Sequence, residues 1–299
     1  MPTALHPLLA SSIDYAGLFP PAGLDMATAV RQYAEYRAGP DAWALGRFVV
    51  PVARLGELER EAELLAPRQP AEPWRLSALL GPSTGEEIKA LGEFNCRHAA
   101  DGAASLSADV VEARADSVET VDRLLTGLPR WVQAYVEIPL DRDPTPLVAA
   151  IARHGARAKA RTGGVTADAF PSAAALARFL RACTAAGLPF KATAGLHHPL
   201  RAEYRLTYAP GSSKGTMFGF LNVFLAAALI LQGLSDAEAE QLLEERSPEA
   251  FRFSAEAIEW RGYRLDRPAV EDARAGGIVA FGSCSFEEPL GELRAMGAL

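Results

Sequence analysis

Short apolar runs alternate with amphipathic stretches from one end of the chain to the other. The runs at 13–18, 47–51, 75–80, 110–114, 132–138, 156–161, 189–193 and 278–282 have strand length. Between them, apolar residues recur at helical spacing near 24–38, 54–65, 84–92, 117–127, 144–154 and 171–186. Start and stop signals agree: Gly39-Pro40 ends one helix, Ser83 precedes Glu86 at the start of another, and Gly187-Leu188-Pro189 leads into the seventh strand. Strand–helix alternation without hairpins predicts a parallel sheet. Eight such strands predict closure into a (β/α)8 TIM barrel. Barrels of this kind commonly run to about 250 residues or more as one unit, so 1–299 is expected to be a single domain.

The rhythm breaks once, between the seventh and eighth strands. About eighty residues (196–276) stand where a connection of a few is usual. They hold a Pro-Gly-Ser-Ser-Lys-Gly loop at 210–215 and an apolar helix over 216–232. A further helix opens with the capping box Ser235…Glu238, and another opens at Ser247-Pro248. This pattern predicts a long, folded, helical insertion. It is expected to act as a lid, with Lys214 on a mobile loop, or to join copies of the chain into a homo-oligomer through the 216–232 helix.

Strands covered on both faces should be almost continuously apolar. Four consecutive strands here are not, and their polar residues fall with period two: Glu112 and Arg114, then Gln133, Tyr135 and Glu137, then Lys159 and Arg161, then Lys191 and Thr193. Successive side chains alternate faces, so each set shares one face. With the apolar set packed on the helices, the polar set must line the barrel interior as one arc. Buried ionised groups are costly unless paired, and glutamates facing lysines and arginines provide the pairing. These residues also approach the C-terminal strand ends, where barrel enzymes carry their chemistry.

Only four of the 30 basic residues are lysine (Lys89, Lys159, Lys191 and Lys214), leaving 26 arginines. A lysine against that bias marks a position suited to a compact amine that can lose its proton. Lys159 and Lys191 would be neighbours, and a second cation together with burial lowers a lysine pKa. Lys191 is then expected to be nucleophilic, Lys159 to tune it, and Glu137 or Glu112 to move protons. Arg161, followed by Thr162-Gly163-Gly164, offers a guanidinium and backbone N–H groups to a small anion. Arg114, Thr193, Ser283 and Ser285 join that substrate set.

The segment Lys191-Ala192-Thr193-Ala194-Gly195 resembles the strand-end Lys-Thr-Ser-Thr-Gly of deoxyribose-phosphate aldolases. The late segment Gly276-Gly277-Ile278 to Gly282-Ser283-Cys284-Ser285 is similar to the phosphate loops that end such barrels. The resemblance implies a Schiff base on Lys191 and an aldolase-like lyase or isomerase acting on a small anionic carbonyl compound.

His197-His198 follows the seventh strand and is expected to touch substrate. With Glu137 or Glu112 the pair offers a second reading, a metal-assisted hydrolase or lyase. No H-x-H, H-E-x-x-H or cysteine cluster supports it, so no metal or other cofactor is expected. A third reading is a ligand-binding barrel without turnover. Asp14 and Tyr15 end the first strand and could reach inward, and Cys284 is either a nucleophile or a small buried residue. A net charge of -7 excludes a basic nucleic-acid footprint. Three unpaired cysteines, no secretory leader and no membrane-length apolar run predict a cytoplasmic protein.

Overall fold

The computed structural model describes residues 3–66, 72–99 and 105–299. Eight parallel strands close into a barrel: Ile13–Tyr15, Leu45–Pro51, Trp74–Leu79, Leu106–Arg114, Gln133–Glu137, Arg157–Arg161, Phe190–Thr193 and Ile278–Ser283. The first pairs with both the second and the eighth, which seals the sheet. Helices Met26–Ala38, Leu55–Ala62, Thr84–Ala99, Val118–Thr126, Thr145–Arg153 and Ala173–Ala185 follow the first six strands in turn. The α/β barrel read from the alternation is the fold.

The period-two reading also holds. Val111, Ala134, Val136, Ala158, Ala160, Phe190 and Ala192 are buried on the helix-facing side, where Phe190 meets Phe179 edge-on at 5.4 Å. Helix starts follow local chemistry. Asp25, Ser117, Ser172 and Asp266 each accept a backbone N–H three residues on, and Ser235 with Glu238 closes the expected capping box.

The segment between strands seven and eight departs from the helical expectation. Ala202–Arg205 and Lys214–Met217 form an antiparallel hairpin, so Lys214 lies on a strand and the apolar helix begins only at Phe220. Ser247-Pro248 opens a single 3-10 turn, and a second small sheet follows, built from Phe251–Phe253, Ala257–Trp260 and Tyr263–Asp266. Helix Arg267–Gly276 then leads into strand eight. Strands of three or four residues are too short to show a period.

Helix Phe220–Leu231 corrects the oligomer expectation. Every residue from Phe220 to Ile230 is buried within the chain. It packs on helices Ala173–Ala185, Asp236–Glu244 and Arg267–Gly276 and on strand eight, taking the ring position of the seventh unit. A helix that is apolar all round is covered all round, here by its own chain. Its one polar residue, Asn222, is satisfied by the Leu242 and Glu245 carbonyls and the Arg201 N–H. Among the described residues no helix is long and apolar enough to cross a membrane.

Candidate active site

Parallel pairing sets Arg114 beside Glu137, Glu137 beside Lys159, Lys159 beside Lys191, and Arg161 beside Thr193. From this register a continuous run of ion pairs is built. Arg114 Nε lies 2.9 Å from Glu137 Oε1, and Glu137 Oε2 lies 2.8 Å from Lys159 Nζ. Lys159 reaches Glu112 Oε2 at 2.7 Å, and Lys191 takes Glu112 Oε1 at 2.7 Å. Lys191 also donates to Asp14, whose Oδ1 accepts the Arg47 N–H at 2.8 Å. Strand seven does not neighbour strand four or strand one, so the contacts of Lys191 with Glu112 and Asp14 cross the barrel interior. Ser77 donates to Glu112 at 2.6 Å, and the Tyr135 ring lies 5.3 Å from Lys191 Nζ.

Burial by itself would raise the carboxyl pKa of Glu112, but Lys159 and Lys191 override it and hold the group well below the usual carboxylate range. Glu137 follows the same pattern, with Lys159 and Arg114 outweighing burial. Lys191 reverses the sequence expectation. Burial pulls its pKa down, but Asp14 and Glu112 push it well above the ordinary lysine value. The premise of the depressed pKa fails because the Glu112 carboxylate stands between the two ammonium groups, one on each oxygen.

The sign for stability follows. A carboxylate with a depressed folded pKa stabilises above its unfolded pKa of about 4.3 and stops doing so as pH falls through the folded value. The urea midpoint should therefore hold down to about pH 5 and fall steeply below about pH 4. Molar salt should leave that fall in place, because the pairs are buried. A midpoint constant down to about pH 3 contradicts this electrostatic picture.

Arg114, Glu137, Arg161 and Thr193 end their strands, so the cavity they line, of about 270 Å³, opens at the C-terminal mouth. Glu112, Lys159 and Lys191 form its floor, while Gly164 and His197 contribute to the wall. The Arg114 side chain is 74% exposed, and Arg161 is also exposed on the rim. Gly163 serves packing: a Cβ there would lie 2.4 Å from the Phe170 ring.

The remaining candidates divide. His197 is buried in the wall, with Nδ1 3.3 Å from Ser283 Oγ and 3.6 Å from Cys284 Sγ. Burial lowers its imidazole pKa to about 4 and raises the Cys284 thiol. Ser283 thus meets His197, and Ser285 accepts the Glu288 N–H at 3.2 Å; neither lines the cavity beside Arg161. His198 stacks on Tyr204 with ring centroids 3.4 Å apart. Glu112 and Glu137 are engaged by the lysines, so the glutamates that meet the histidines are Glu288 and Glu292. Two contacts were not expected from the sequence, Asp14 on Lys191 and Cys284 on His197. Asp14 sits on a strand of three residues, too short for alternation to show. Cys284 and His197 are 87 residues apart and meet because strands seven and eight, which they follow, pair side by side. Tyr15 packs outward against Tyr33, Tyr36 and Phe48.

Comparison of the chain with protein-family models, curated proteins and solved structures gives no match.

Proposed function

We propose that this barrel is an enzyme, a lyase or isomerase that binds a small carboxylated or phosphorylated carbonyl compound at its C-terminal mouth. The observation that carries the reading is the run of ion pairs from Arg114 to Asp14 beneath a cavity rimmed by a second guanidinium, Arg161. Burying this many ionised groups costs stability that apolar side chains would not. An open cavity above them gives that cost a use.

In this reading Arg161 and Arg114 hold the substrate anion. Glu137, ionised at neutral pH, takes a proton from the carbon next to the carbonyl. The Lys159 ammonium, 2.8 Å from Glu137, stabilises the charge that develops on the carbonyl oxygen. Lys191 acts as a fixed cation that keeps Glu112 and Asp14 neutralised. A Schiff base on Lys191 is the competing route, favoured by the side chain lining the cavity. It requires an amine, whereas two carboxylates hold Lys191 as an ammonium. Borohydride reduction in the presence of pyruvate should accordingly leave no adduct on Lys191. A Lys191 adduct found by mass spectrometry would move the chemistry to that route.

Oxalate, a planar dianion shaped like an enolised 2-oxo acid, tests the binding step. At about a hundred times its Kd it should raise the Tm by about 5 °C, and Arg161→Ala should abolish the rise. No rise with oxalate or inorganic phosphate would remove the support for an anion site, as would an Arg161→Ala variant that responds like the parent.

A further inference from the structure

Beside the cavity wall, the segment that follows strand seven meets the last helix, Glu287–Ala295. Glu288 and Glu292 lie four residues apart on one face of that helix. With His198 they bring one ligand atom each to within 4.8 Å of one another. His198 Nδ1 already lies 2.7 Å from Glu292 Oε1, and its ring is fixed against Tyr204 at an interplanar angle of 11°. Tyr208 donates to Glu288 at 3.1 Å.

The charge balance here differs from that of the other shielded carboxylates. Glu112 and Glu137 rest on lysines, and Glu245 rests on Arg261. Glu288 and Glu292 face each other with histidines as their ion-pair partners, and among the described residues neither has a lysine or arginine. Among the described residues the two carboxyl groups have only imidazoles to offset them.

We infer that His198, Glu288 and Glu292 bind a divalent metal ion. One imidazole with two carboxylates suits Mn²⁺ or Zn²⁺ better than Ca²⁺ or Mg²⁺, which prefer all-oxygen sets. Donors bound at about 2.0–2.2 Å sit no more than about 4.4 Å apart, so a small rotation of the part-exposed Glu292 closes the set. Tyr204, stacked on His198, and Tyr208, bonded to Glu288, act as outer supports that orient the ligands. The ion would tie the insertion to the last helix next to His197 and Cys284. This inference does not depend on the proposed reaction.

The test uses the full chain, stripped with EDTA and dialysed. Titration with Mn²⁺, followed by the electron paramagnetic resonance of free ion, should give one site per chain, displaced by Zn²⁺. Glu292→Gln and His198→Gln should each weaken binding at least about tenfold and lose the Mn²⁺-induced rise in Tm, with far-UV circular dichroism confirming the fold. Glu240→Gln, elsewhere on the surface, should bind as the parent does. Failure of the parent to bind Mn²⁺ or Zn²⁺ more tightly than about 100 μM would overturn the inference and leave an ordinary His198–Glu292 ion pair. Unchanged affinity in the double variant Glu288→Gln/Glu292→Gln would overturn it as well.

Discussion

Glu112→Gln should lower the unfolding free energy by about 3–5 kcal/mol, the cost of removing one partner from a buried ion pair. Glu112 is 3% exposed and its two oxygens each hold a different lysine. Glutamine keeps the volume but removes the charge, so Lys159 and Lys191 each lose one of two carboxylate partners at once, in a medium that penalises the lost contacts. Lys191→Met should cost a comparable amount, because Asp14 then lacks its cation. Urea unfolding at pH 7 measures both. A loss below about 1 kcal/mol in each would mean that the network carries no more than surface pairs do.

Glu137→Gln should have the largest effect on turnover, a loss of about 10²–10⁴ with the fold intact, the usual size of a general-base contribution. The partners released are less demanding than those of Glu112. The Arg114 side chain is largely exposed and can turn to water, while Lys159 keeps Glu112. The pH profile separates this role from a structural one. Lys159 and Arg114 depress the Glu137 pKa against burial, so the acid limb of the parent should fall below the ordinary carboxylate range of about 4.3. An acid limb near pH 6 would assign the essential base to another group.

The barrel was legible because its signal is periodic and local. Strands four to seven carry polar residues on every second position, and one face of each is obliged to meet the helices. That parity located Glu112, Glu137, Lys159 and Lys191 inside the barrel without any partner being known. Contacts across the interior were not legible. Neighbouring strands suggested Lys159 as the influence on Lys191, whereas the groups that set its charge stand three strands away, on Glu112, and two strands away, on Asp14. The small sheets between strands seven and eight fell below the length at which a pattern can be read. The uniformly apolar helix Phe220–Leu231 signalled complete burial, but the pattern does not say by what; its own neighbours cover it. Glu288 and Glu292 carry no sequence signal that sets them apart, and only the fold brings His198 against them.

Solvent-deuterium incorporation followed by proton NMR tests the central claim most directly. The protein is incubated in D₂O with pyruvate, 2-oxobutyrate, oxaloacetate or dihydroxyacetone phosphate, and loss of the C–H signal next to the carbonyl is timed. Exchange should run at least about a hundredfold above buffer for a compound that binds in the cavity, and should return to the buffer rate in Glu137→Gln. A compound that binds with Arg161 yet exchanges no faster than in buffer, or that exchanges equally fast in Glu137→Gln, would contradict it.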